Sequence, residues 1–205
     1  MALKRSAPPS TAAAAAVDCT SLLTALADAD PANRRLAARE LIHCPQASAA
    51  LAAHLDQEAE PSVREALLLS LSRLADRVAV DALLRCLRSE DVSLRNEACA
   101  TLQQLGDCAE VIQAVRELLL DGDLDVRQYA VDILGPLTHP EIGTWLIEVM
   151  DDDPEINVAA AAATWLAEHP VAEAGAALQR LARRFPDNDY LQFVVTKALS
   201  RVEGP

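Results

Sequence analysis

Four histidines, five cysteines and 31 carboxylates are the groups in this chain that could hold a metal or move a proton. His43, His54, His139 and His169 are followed by Cys44, Leu55, Pro140 and Pro170, so no His-Glu pair of the kind that ligates a metal occurs. Cys19, Cys44, Cys86, Cys99 and Cys108 are odd in number, scattered, and contain no CxxC pair. That pattern argues against a zinc site or a disulfide framework and reads as buried small hydrophobes in a reducing compartment. Asp121, Asp123, Asp125 and Asp132 hold the acidic positions of a calcium loop, but Val126 stands where the sharp turn needs glycine. Neither a GxxxxGK[ST] nor a GxGxxG phosphate cradle occurs. The expectation is a chain with no catalytic residue, no metal and no cofactor of its own. A second acidic cluster, Asp151-Asp152-Asp153 with Glu148 and Glu155, reads as a solvated turn. Together with Asp121 and Asp123 it would form an acidic rim able to steer a basic partner.

What would position these groups is a repeat. Asp30-Pro-Ala-Asn-Arg34, Glu60-Pro-Ser-Val-Arg64, Asp91-Val-Ser-Leu-Arg95 and Asp123-Leu-Asp-Val-Arg127 share an acid, three residues and an arginine. Ala37, Leu67, Ala98 and Ala130 follow each arginine at three residues, and Leu41, Leu71, Leu102 and Leu134 at seven. Degenerate copies begin at Asp153 and Asp187, without the arginine. The acid falls where a helix should start, accepting free N–H groups at the positive end of the dipole. Pro31, Pro61 and Pro154 follow it at the first helical position. The residues around the arginine form one apolar helical stripe. Apolar stretches with helical spacing precede each motif, at 22–27, 51–55, 80–87, 111–120, 142–150 and 176–182. Each repeat is therefore a helix A, a tight turn and a helix B. One such hairpin cannot bury its own apolar face, and six stacked hairpins can.

The stretch from 102 to 134 fits LxxLGDxxxVxxLxxLLxDxDxxVRxxAxxxL. It closely resembles the bacterial HEAT repeats of the PBS-lyase-like kind, with weaker copies across about residues 18–205. The resemblance implies an all-α, right-handed α-solenoid of about six HEAT-type hairpins, preceded by an Ala/Pro-rich tail at 1–17. In such proteins the acids and arginines form a ladder along the stack. Here that implies a structural role for Asp30, Arg34, Glu60, Arg64, Asp91, Arg95, Asp123 and Arg127, each arginine forking onto the acid of a neighbouring turn. Two enzymatic relatives fit poorly. Deoxyhypusine hydroxylases hold iron with His-Glu pairs, and none exists here. Alkylpurine DNA glycosylases of HEAT-like fold need a basic face.

Bulk composition narrows the partner. The formal net charge of −13 repels phosphate backbones, so nucleic acid is not an expected partner. No apolar run approaches the ~18 residues of a membrane span, and the weakly hydrophobic Ala-rich N-terminus does not read as a signal peptide. A cytoplasmic protein is the expectation. In such solenoids helix B lines the concave face, and its exposed residues should stand one, two and five after the arginine. Those are Arg35, Leu36 and Arg39; Glu65, Ala66 and Leu69; Asn96, Glu97 and Ala100; Gln128, Tyr129 and Asp132; Val158, Ala159 and Ala162; and Gln192, Phe193 and Thr196. Asn96, Gln128, Tyr129 and Asp132 are the expected partner contacts, with Arg35 and Arg39 at one end. Trp145 and Trp165 are expected in the core, and the last repeat, with Phe185, Tyr190 and Phe193, as a cap. The reading is a non-catalytic adaptor that binds a protein or peptide, one with a basic or helical segment. The resemblance also admits a lyase-type or chaperone subunit that helps position a prosthetic group on a client.

Overall fold

The computed structural model describes residues 17–106, 108–169, 171 and 173–202. Apart from Val17, the expected tail lies outside the described residues. Among these, twelve α-helices form six antiparallel hairpins, and no strand occurs. The first helices of the hairpins, the A layer, are α1 (Cys19–Ala25), α3 (Ser48–Leu55), α5 (Arg77–Cys86), α7 (Ala109–Leu118), α9 (Ile142–Asp152) and α11 (Ala174–Arg184). The second helices, the B layer, are α2 (Pro31–Glu40), α4 (Pro61–Leu74), α6 (Val92–Leu105), α8 (Leu124–Leu134), α10 (Ile156–Glu168) and α12 (Asp189–Val202). None of the described helices is long and apolar enough to cross a membrane.

Successive B helices pack side by side from α2 to α12, each also against the A helix of its own hairpin. The apolar stripe read from the repeat is what they bury. Leu41, Leu67, Leu71, Leu102 and Leu134 are fully buried, as are Val63, Ala98, Val126 and Ala130. Small residues let the layers approach closely. Gly143 at the start of α9 is one such point, since a Cβ there would stand 2.7 Å from Val171 Cγ1. In the A layer, α3, α5 and α7 stack in turn and α9 packs on α11, but α7 and α9 lack that close approach.

The helix starts follow the repeat. Asp30, Asp91 and Asp123 cap α2, α6 and α8, accepting the backbone N–H of Ala32, Ser93 and Asp125. Pro31 and Pro61 open their helices. The fifth repeat departs from the expectation: α10 begins at Ile156, so Pro154 lies in the turn and Asp153 is two residues ahead of the N-cap Glu155. Asp153 instead accepts the Glu155 N–H at 2.8 Å and faces inward, 7% exposed. In the sixth repeat Asn188, rather than Asp187, accepts the Leu191 N–H at α12.

The ladder exists with altered rungs. Arg64 meets Asp91 of the next repeat. Arg127 forks onto Asp153, Nε to Oδ2 at 2.7 Å and Nη2 to Oδ1 at 3.2 Å. Arg34 reaches Glu58 rather than Glu60, at 2.8 and 2.9 Å. Glu60, two residues on, makes no side-chain cap for α4. Arg95 departs from the pattern, because it meets no carboxylate among the described residues and donates to the Ser89 carbonyl at 2.6 Å. Arg34, Arg95 and Arg127 share a further bond. Each donates Nη1 to the carbonyl six residues earlier, Asp28, Ser89 or Asp121, and so ties helix B to its own A–B turn.

The cysteines correct the expectation most. Cys19 and Cys44 are joined by a disulfide, with Cα atoms 5.9 Å apart. Linear spacing hid this pair. The first hairpin folds back so that the 3₁₀ turn Leu41–His43 at the end of α2 returns to the start of α1. None of the α1 residues is fully buried, so this helix depends on the bond more than on burial. Cys86 and Cys99 behave as read. They are buried, and burial pushes both thiols up to about 11.

Candidate interaction groove on the B layer

Where α6, α8 and α10 run side by side, their outward faces leave an open groove of about 430 Å³. Its walls include Asn96, Gln103, Tyr129, Asp132, Trp165 and Glu168. Three of the sequence-predicted contacts thus converge. Tyr129 donates its hydroxyl to Asn96 Oδ1 at 2.9 Å, bridging α8 and α6 and fixing the ring on the face. Gln128 donates to Asp132 Oδ1 at 3.2 Å, and Gln103 to the Asp132 carbonyl at 2.8 Å. Gln128 stands beside the groove, so of the predicted residues on α6 and α8 it acts through Asp132. Arg35 and Arg39 are exposed on α2, away from this groove.

Electrostatically the groove is acidic. Asp132 sits at the solvent-accessible mouth, yet the surrounding protein desolvates its carboxyl and raises its pKa above the ordinary range, opposed by the Gln128 hydrogen bond. Glu168 lies at the α10 end, where its closest cation is Arg201 at 3.5 Å across exposed side chains. Asp132 is exposed and pairs with no cation among the described residues, so an incoming Lys or Arg can form a charge-assisted hydrogen bond there. The amide side chains add donors and acceptors of the kind a peptide backbone matches.

Trp165 was expected in the core and is only half-buried. Its Nε1–H donates to the Gly135 carbonyl at 2.8 Å, its ring stacks on His169 at 4.4 Å, and one edge lines the groove. Gln103, Gly135 and Trp165 all stand eight residues after the arginine position. Carrying the one, two and five pattern one turn further along each helix would have found them. The pattern fails on α10 for another reason. Val158, Ala159 and Ala162 are buried, because α12 packs over that side of α10. Ala66 is likewise 1% exposed, on the α4 face that meets α2. Gln192 is half-buried, with its amide donating to the Ala182 and Phe185 carbonyls, whereas Phe193 is 61% exposed.

Three of the four expected rim aspartates are already engaged. Asp121 pairs with Arg88, Asp151 with Arg180 at 2.7 Å, and Asp123 caps α8. Asp152 has no such partner among the described residues.

A family model described as HEAT repeats matches residues 20–94 and 48–135, together more than half of the 205 residues. The solved archaeal HEAT-like repeats protein from Thermococcus onnurineus NA1 is 17% identical, covers 90% of this chain and 87% of its own, and superposes with a TM-score of 0.55. The CpcE–CpcF complex of phycocyanin lyase from Nostoc sp. PCC7120 is 21% identical over 98% of this chain and 83% of that one, with a TM-score of 0.46. A designed armadillo repeat protein in complex with the peptide (KR)4 is 18% identical over 91% of this chain and 100% of that one, at 0.45. No curated protein matches this chain.

Proposed function

Because this chain belongs to the HEAT-repeat family, we propose that it is a non-catalytic interaction module whose B-layer groove holds a segment of a partner protein. The observation that carries this reading is the groove across α6, α8 and α10, in which Asn96, Tyr129, Asp132 and Trp165 converge from three repeats. Aromatic faces at Tyr129 and Trp165 supply apolar area at small entropic cost, and Asp132, which lines the groove without a cation of its own, selects a cationic side chain. The partner segment is one with a Lys or Arg beside an apolar residue, lying across the B helices. Its binding needs no metal or cofactor.

Quantitative capture of proteins from the source cells tests this. Asp132→Arg should lose a defined subset of the proteins that wild type retains, those held by the groove, while Glu40→Arg, an equal charge change on α2 outside the groove, should keep them all. Equal capture by wild type and Asp132→Arg overturns the reading, and so does equal loss in both variants.

A further inference from the structure

On the opposite layer, between the fourth and fifth hairpins, α7 and α9 part around a cleft of about 590 Å³. Its floor is apolar: Leu119, Trp145 and Val149 are each nearly buried, and Pro154 closes one side. The floor differs from its counterparts at one register position. Eight residues before the repeat acid stand Leu83 and Val115 in the third and fourth repeats, and Trp145 in the fifth. The larger indole, with Arg116 over its face at 5.1 Å and His139 stacked at 5.2 Å, forms part of the cleft wall.

Leu120 stands at the mouth of this cleft, 88% exposed. Three residues before the acid, the first three repeats place Ala27, Gln57 and Arg88. A leucine at that height on a turn gains nothing from the fold, and next to an apolar cleft it extends the surface available to another molecule. Around it the charge is mainly negative, with Arg116 and Arg127 the cations of the lining. Glu117, Glu148 and Asp152 line the cleft, and their side chains have no ion pair or hydrogen bond among the described residues. Asp121 is taken by Arg88, Asp153 by Arg127, and Arg116 lies on the Trp145 ring. Three uncompensated carboxylates around an apolar floor complement one kind of occupant.

We propose that the α7–α9 cleft is a second docking site, separate from the B-layer groove, for a partner-protein segment that inserts a bulky apolar side chain flanked by Lys or Arg. The apolar side chain fills the cleft between Leu120 and Trp145, and the flanking cations meet Glu117, Glu148 and Asp152. The inserted side chain sets the affinity, and the carboxylates set the association rate and the preference for a basic flank.

A displayed peptide library selected on the wild-type protein, and counter-selected on Leu120→Gln, supplies the probes. The enriched sequences should combine a Leu, Phe or Met with Lys or Arg within two positions. Their synthetic peptides should shift the Trp145 indole and the Leu120 amide in ¹⁵N spectra while leaving the Trp165 indole unmoved. Leu120→Gln should weaken binding about tenfold, the effect of removing one buried aliphatic side chain. The double variant Glu148→Gln with Asp152→Asn should lose the preference for basic over acidic flanks. Leu120 is exposed, so the variant keeps its fold, and circular dichroism checks this. The proposal is overturned if no Leu120-dependent binder emerges, if the binders are acidic, or if shifts fall on Trp165 alone. The last result would leave the B-layer reading standing, whereas Asp132→Arg leaves the α7–α9 site untouched, so the two fail separately.

Discussion

Arg127 shows why the repeat keeps arginine. Its guanidinium forks onto Asp153 and reaches the Asp121 carbonyl at 2.9 Å, satisfying two turns at once while only 9% exposed. Lysine offers a point charge that serves one acceptor well. Arg127→Ala leaves the Asp153 carboxylate buried without a cation and should cost about 3 kcal/mol. Arg127→Lys should recover less than half of that, and urea unfolding measures both. Glu58 carries a pH signature. The Arg34 guanidinium above all, then the Glu60 N–H and His54, hold its carboxyl down from 4.5 to about 2, against the opposing effect of burial. The folded pKa lies below the unfolded one, so this stabilisation is complete above about pH 4.5 and drains away as pH falls toward 2. After solvent screening it amounts to about 1–2 kcal/mol. Glu58→Gln should therefore lower stability at neutral pH and flatten the acid limb of the pH–stability curve.

At the level of elements, the first hairpin is the weakest in apolar burial and the one with a covalent tie. Cys19 and Cys44 close a loop with a sequence separation of 25, and cross-linking a loop of that length contributes about 3 kcal/mol by restricting the unfolded chain. Reduction, or Cys44→Ala, should release α1 first. Hydrogen exchange at Leu22, Leu23 and Leu26 should accelerate while Leu67 and Leu71 in α4 keep their protection. Unchanged protection in α1 after reduction would show that Leu26 and its neighbours hold the helix without the bond. The A layer also opens between α7 and α9, where the Trp145 indole lines the resulting cleft.

At the level of the whole molecule, stacking converts a local pattern into a surface. Each repeat contributes two or three side chains to the B face, and only neighbouring repeats turn those into a groove. The helical hairpins, their start signals and the buried stripe of Leu67, Leu71, Leu102 and Leu134 were all legible in the sequence, because each depends on residues within one helix or one turn. Asn96, Tyr129 and Asp132 were legible for the same reason, since helix periodicity fixes which residues share a face. The Cys19–Cys44 bond, the shift of Arg34 to Glu58, the absence of a carboxylate at Arg95, the burial of Val158 under α12 and the cleft beside Leu120 were not. Each depends on how far apart two hairpins settle and on which atoms then meet. Local spacing is blind to that distance, and the packing of whole helices decides it.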